Sequence, residues 1–349
     1  MEKASQQSES AGNIVRNSLF GFSTWLLPLS LGIIATPVIV GQLGYSDYGI
    51  YALVLGFIGY SFNLNIGRAI TKFVAEFQAS GETEKINGVV STTLVLNVVV
   101  GSIGLGSLVV FAPWLISGVF EIEPGSHEKT LTAFYLASAI VFVTMISQVA
   151  TSVLQGLHRF DVYAKLFNLN SLLLVSGNLV LALSGFGLNA LLLWNLCVVL
   201  SMLVIGAYVS LRLLPEFRFE FRLDREILRM VLTFSSGIIG YQVLSNLLLL
   251  FERGWITRQL GSETLTLYVI PMMLGIYLHS FISSILIVVF PLASALNERR
   301  ERLRGLYLKA TKLVGLPTVF IGATLIAESY HFLALWMGEE FAAATWILL

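Results

Sequence analysis

INGVVSTTLVLNVVVGSIGLGSLVVFAPWL, running from Ile86 to Leu115, contains no charged residue and exceeds the roughly 20 apolar residues a helix needs to cross a bilayer. Eight further stretches read the same way: Ile14 to Val40, Tyr48 to Gly67, Leu131 to Leu157, Val162 to Ser184, Leu188 to Leu211, Met230 to Phe251, Leu265 to Phe290 and Leu306 to Ala327. The period within them is helical or saturated, with no alternating ten-residue strands, so a transmembrane barrel is disfavoured. The expected fold is all-α, a polytopic transmembrane helix bundle of nine spans. Composition agrees: 56% of residues are hydrophobic, 12% are charged and mean hydropathy is +0.81, more apolar than a soluble domain requires. The ninth span begins with Lys309 and Lys312, which can snorkel to the interface. A tenth begins at Phe341 but reaches only Leu349, so the chain is expected to end prematurely, within its second half.

The loops set the orientation. Eighteen of the 21 Lys and Arg lie before the first span or in alternate gaps after it, and the other gaps hold only Lys129, Arg253 and Arg258. By the positive-inside rule the N-terminus is cytoplasmic. The first apolar run is too long for a signal-peptide core and lacks a cleavage site, so it is expected to stay as a membrane helix. Cys197 is the only cysteine and lies inside a span, which excludes a disulfide and a thiol metal site.

The sequence also repeats. Gln42-Leu43-Gly44 is followed after six residues by Tyr51, and Gln259-Leu260-Gly261 after six residues by Tyr268. IVRNSLFGFS from Ile14 resembles ILRMVLTFSS from Ile227. An even number of spans separates the copies, which gives two parallel-repeat six-helix halves facing a central cleft. The N-terminal half is residues 1–213 and the C-terminal half 214–349, joined by a cytoplasmic segment with Pro215 and the run RFEFRLDRE.

The first helix with Pro28 and Pro37 and the segments GQLGYSDYGIYAL, RAITKFVAEF, QGLHRFDVYAK, FERGWITRQLG, PLASALNERRERL and LALWMGEEFAAATWILL together resemble the polysaccharide transporters, the O-antigen and oligosaccharide flippases, of the multidrug/oligosaccharidyl-lipid/polysaccharide exporter superfamily. Members usually carry 12 or more helices. The resemblance implies a flippase of the bacterial inner membrane. Its partners would be a polyprenyl-diphosphate-linked oligosaccharide and membrane lipid, with a polysaccharide polymerase a candidate protein partner; no nucleic acid and no cofactor are implied.

Such a substrate has a headgroup that cannot enter hydrocarbon without losing its hydrogen bonds. Its diphosphate suits arginine, whose planar fork binds two oxygens at once. The candidates are Arg16 in the first helix, Arg68 at the end of the second, and Glu252, Arg253 and Arg258 at the outer end of the seventh. Arg16 and Arg68 also suit simple interface anchors. Arg253 and Arg258 break the positive-inside rule, which fits a gate ion pair or an anionic substrate, with a plain surface pair as the bland alternative. Amides can serve sugar hydroxyls as donor and acceptor, and Asn63, Asn65, Gln242 and Asn246 are the favoured set, with Asn97, Gln155, Asn178 and Asn195 among those as well suited to joining helices. Pro28 and Pro37 in the first span and Pro271 in the eighth each remove a backbone hydrogen bond and permit bending. Trp25, Trp114, Trp255, Trp336 and Trp346 fall near the expected interfaces.

No G-x-S-x-G, H-E-x-x-H, phosphate loop or metal-spaced His/Cys cluster occurs, so an enzyme is not expected. Among transporters, a cation-coupled drug exporter of the same superfamily is the closer alternative, but the first span contains no Asp or Glu to titrate. A lipid II flippase would be expected to carry more arginines in that helix than Arg16 alone.

Overall fold

The computed structural model describes residues 2–62, 66–214, 223–295 and 300–348, with side chains left aside at 2–19, 57–62, 283–295, 300 and 302. The described residues form helices and no strand. In chain order these are α1 (Glu2–Leu43), α2 (Tyr45–Phe62), α3 (Gly67–Ser80), α4 (Thr83–Trp114), α5 (His127–Gly156), α6 (Phe160–Leu183), α7 (Leu188–Leu213), α8 (Arg225–Ala295), α9 (Arg300–Met337) and α10 (Glu339–Ala342). Among the described residues seven helices are long and apolar enough to cross a membrane: α1, α4, α5, α6, α7, α8 and α9. Large apolar side chains such as Val110, Val180 and Val204 point outward, as they do where lipid is the solvent. The protein is a multi-pass membrane protein.

The Q-L-G repeat acquires a physical meaning here. Gly44 separates α1 from α2 with φ +79°, and Gly261 breaks α8 into two arms, 225–260 and 262–295, with φ +85°. Both glycines hold the left-handed φ that disfavours a side chain, so each repeat places its turn where only glycine is unstrained. The end of the spans carrying these two turns is called the turn end below, and the opposite one the basic end.

Contacts divide the chain into two compact units, Val38–Leu265 and a second made of Met1–Pro37 with Thr266–Leu349. These boundaries follow packing, a different criterion from the repeat on which the expected division at 213/214 rests.

In the larger unit the basic end is built around α3, which the sequence reading treated as a loop with basic residues. Its Ala69, Ile70, Phe73, Val74 and Phe77 recur at helical spacing and are buried against Ile86, Val89 and Val90 of α4, Val149 and Val153 of α5, and Val231 of α8. Gly156 at the end of α5 permits this approach, since a Cβ there would lie 2.7 Å from Val74 Cβ and 3.0 Å from the Thr71 carbonyl oxygen. Thr71 donates its hydroxyl to the Ser152 carbonyl at 3.2 Å across the same contact. Higher in the unit, Asn97 Nδ2 donates to the Met145 carbonyl at 2.8 Å, joining α4 to α5. Asp224 caps the start of α8 by accepting from the backbone N–H of Glu226 and Ile227 at 2.9 and 3.1 Å.

The smaller unit packs the first part of α1 against the second arm of α8 and against α9. Pro37 has no N–H, so the carbonyl four residues earlier, Ile33, loses its helical donor. Trp336 Nε1 on α9 donates to that oxygen at 2.7 Å. Trp25 Nε1 donates to the Tyr277 carbonyl at 2.9 Å, and its ring lies 5.1 Å from that of Phe281. Two tryptophans expected at membrane interfaces are therefore clamps between helices. Trp114, Trp255 and Trp346 remain exposed. After α9, α10 and a short 3-10 turn, Ala343–Ile347, bury Phe341.

Candidate functional site

Three cations stand on the arginine-poor side of the sequence, Lys129, Arg253 and Arg258, and all three are engaged at the turn end of the larger unit. Arg253, on the first arm of α8, is 6% exposed. Its Nη1 donates to the Ala52 carbonyl of α2 at 2.8 Å. The guanidinium fits because residue 56 is glycine: a Cβ there would lie 2.9 Å from Arg253 Cζ. One residue on, Gly254 passes over Phe120, whose ring carbon would be 3.3 Å from a Cβ at 254. Thr257, a turn later, donates its hydroxyl to the Arg253 carbonyl at 2.8 Å.

Arg258 forms an ion pair with Glu121 at 2.8 Å, both side chains about half exposed. Glu121 sits in the link between α4 and α5 with φ +50°, an uncommon conformation for a residue with a Cβ. The link is shaped by a π turn at Leu115–Val119, anchored by the buried Phe120, and closed by His127 Nε2 bonded to the Ile122 carbonyl at 2.6 Å. Lys129 at the start of α5 pairs with Asp47 in the first turn of α2. There the carboxylate also meets the positive end of the helix dipole. Between the two Q-L-G turns, Ser46 and Ser262 share a hydroxyl–hydroxyl bond of 3.1 Å. Residues from both halves of the repeat thus meet at one end, through Arg253 with Ala52, Arg258 with Glu121 and Ser262 with Ser46.

Deeper in the same unit lies a second polar group. The Tyr51 hydroxyl accepts from Asn195 Nδ2 of α7 at 3.1 Å, and Asn178 of α6 lies beside it. Asn178 and Asn195 are 7% and 6% exposed, and the Oδ1 of each is buried with no hydrogen-bond donor among the described residues. A buried amide oxygen without a donor costs free energy, so these two acceptors favour a water or hydroxyl donor.

The match to known proteins covers most of the molecule. The family described as "Polysaccharide biosynthesis protein" matches residues 38–345. The chain belongs to that family. No curated protein matches it. Among solved structures, a multidrug resistance MATE family transporter of the MOP superfamily in an inward-facing conformation is similar with a TM-score of 0.70 and 16% identity, over 93% of this chain and 78% of that one. A MATE protein in complex with MaD3S gives 0.68 at 19% identity, over 95% and 77%. A MOP superfamily transporter from Pyrococcus furiosus, whose description reports reverse polarity of the binding pocket, gives 0.68 at 18%, over 95% and 75%. At these identities the likeness is one of fold, the fold expected from the superfamily resemblance.

The remaining candidates of this polysaccharide biosynthesis family member are spread along the helices. Arg68 is exposed at the start of α3, at the basic end. Gln242 and Asn246 are half-buried on the first arm of α8. Glu252 is half-buried there too, with Oε1 inaccessible to solvent and without a hydrogen-bond partner among the described residues. The Arg16 side chain, and Asn63 and Asn65 entirely, lie outside the described residues. Among the described residues no cluster of His, Cys, Asp or Glu could hold a metal. The sequence reading singled out Arg253 and Arg258 as a pair. It missed the seat of Arg253, because a backbone carbonyl and a glycine-sized gap leave no charge pattern to find, and the pairing of Arg258 with Glu121, because that carboxylate lies in a link distant in sequence.

Proposed function

We propose that this protein moves a polyprenyl-diphosphate-linked oligosaccharide from the cytoplasmic to the outer face of a bacterial inner membrane, with its N-terminus in the cytoplasm. The observation that carries the reading is the family match over residues 38–345 in a chain with the transporter fold of the MOP superfamily. A family devoted to polysaccharide biosynthesis needs its membrane members to solve the transfer of a polar headgroup through hydrocarbon, and paired helical repeats supply a polar path. In this reading Arg16 and Arg68 offer guanidinium groups to the diphosphate at the cytoplasmic side, where it arrives. Asn63, Asn65, Gln242 and Asn246 serve sugar hydroxyls, and the lipid tail stays in the bilayer. Arg253, Arg258 and Glu252 act at the far end, where the path must open for release.

A drug exporter is the second reading, because the similar folds include multidrug transporters. The first span lacks Asp and Glu, which favours the glycan reading. The test is surface glycan in a strain lacking the gene, restored with the wild-type chain or with Arg253→Ala/Arg258→Ala, while following which membrane face holds the lipid-linked repeat. Glycan loss with accumulation on the cytoplasmic face is the expected outcome. Intact glycan with new sensitivity to cationic dyes would establish drug export instead.

A further inference from the structure

At the turn end of the larger unit, polar and spatially separate contacts, together with Gly254 against Phe120, join α8 on either side of Gly261 to elements of the first repeat. Arg253 reaches Ala52 of α2, Arg258 reaches Glu121, and Ser262 reaches Ser46. Much of the arm's remaining surface is open: Tyr241, Leu244, Leu248 and Phe251 are each more than 60% exposed. The arm ends at Gly261, whose missing Cβ would meet nothing within 4 Å. An element with little apolar burial on its neighbours and a glycine break at its end is of low local stability. A buried arginine in a membrane helix is costly unless it serves a specific partner.

We propose that Arg253 is the bolt of a gate at the turn end: seated on the Ala52 carbonyl in the gap left by Gly56, it holds the first arm of α8 against α2, and Arg258–Glu121 and Ser46–Ser262 close the rim above it. The gate opens when the guanidinium leaves its seat and the arm moves away from α2, carrying the Gly261 turn and Ser262 with it. Glycine at 56 is then a requirement of the closed state alone, since a side chain there occupies the volume of the guanidinium. The half-exposed ion pair at the rim exchanges its partners for water at little cost, whereas the buried seat sets the equilibrium. Lys129–Asp47, which joins two helices of the first repeat, stays intact in both states. This proposal rests on the transporter reading.

The test uses the full chain in native membranes with Cys197 replaced by Ser and cysteines introduced as Ser46→Cys/Ser262→Cys. Copper phenanthroline oxidises the two thiols to a disulfide, read as a shift in gel mobility. Cross-linking of most molecules is expected with Gly56 present, and a fall of at least fivefold with Gly56→Val. Arg253→Ala, which removes bulk rather than adding it, should lower the yield in the same direction, and answers the question if Gly56→Val does not fold. In a second chain, Ala52→Cys should react with a membrane-impermeant maleimide at least fivefold faster when Gly56→Val is added. Absence of the cross-link in the parent, or a yield and a labelling rate that neither Gly56→Val nor Arg253→Ala alters, overturns the proposal. Neither readout involves a substrate, so failure of the glycan assay and failure of the gate are separate results.

Discussion

The two ends of the larger unit are held together by different physics. At the basic end, α3 buries a stripe of Ile, Phe and Val among α4, α5 and the start of α8, and its polar bonds are incidental to that packing. At the turn end, one ion pair, one buried guanidinium and the passage of Gly254 over Phe120 connect the first arm of α8 to the first repeat, and a hydroxyl pair ties Ser262 just beyond it. Apolar packing is non-directional and summed over many contacts, so it resists partial opening. Polar ties are few, directional and exchangeable with water, so they can be broken singly. The difference suggests a fixed end and a movable end of the same helices.

Mutations that change stability should therefore cluster at the basic end. The largest effect is expected for Phe73→Ala, which empties a site lined by α4, α5 and α8; about 3–5 kcal/mol should be lost, seen as a strong fall in Tm of the purified chain in detergent. Gly156→Val should cost about 1–3 kcal/mol by the same measurement, because the neighbours it meets include the backbone of α3 as well as Val74. Trp336→Phe, in the smaller unit, keeps an aromatic ring but removes the donor to the Ile33 carbonyl, so a loss of at least about 1 kcal/mol is expected. At the turn end, Arg258→Ala should change Tm least, by less than about 1 kcal/mol, because both partners are half exposed. An Arg258→Ala loss as large as that of Phe73→Ala would erase the contrast between the ends.

A proton titration sharpens the same contrast from the solvent side. Glu82, in the link from α3 to α4, is held below the ordinary carboxylate range by its hydrogen bond to Lys85 and then by Ser80. A lowered carboxyl contributes stability above its unfolded pKa and loses it as pH falls through the folded value. For a surface pair screened by solvent the contribution is small, so Glu82→Gln should leave the acid limb of Tm against pH almost unmoved.

What the sequence disclosed and what it hid divide along the same physical line. Long apolar runs report their own burial in lipid, which is why the helix bundle and the membrane are legible. Gly44 and Gly261 were legible as a repeated tripeptide, and the structure supplies the reason: both turns need a left-handed φ. α3 was missed although Ile66, Ile70, Phe73 and Phe77 carry a helical stripe, because Arg68 and Lys72 between them drew the segment into the basic-loop count. Asn178 and Asn195 were visible only as two amides in different spans. Their meeting at Tyr51 depends on how α2, α6 and α7 pack, which no local pattern encodes. Arg253 was conspicuous by its sign, whereas its seat is a carbonyl and a missing side chain.

The bond from Trp336 to the Ile33 carbonyl spans 303 residues of chain. α1 is made before α9, with that oxygen already stripped of its helical donor by Pro37. Its replacement arrives only after α9 has been made. In hydrocarbon an unserved carbonyl is unfavourable, so the upper part of α1 is expected to keep company with water, or with the insertion machinery, until the late helix docks. α1, translated before α9, therefore reaches its final environment only once α9 has docked.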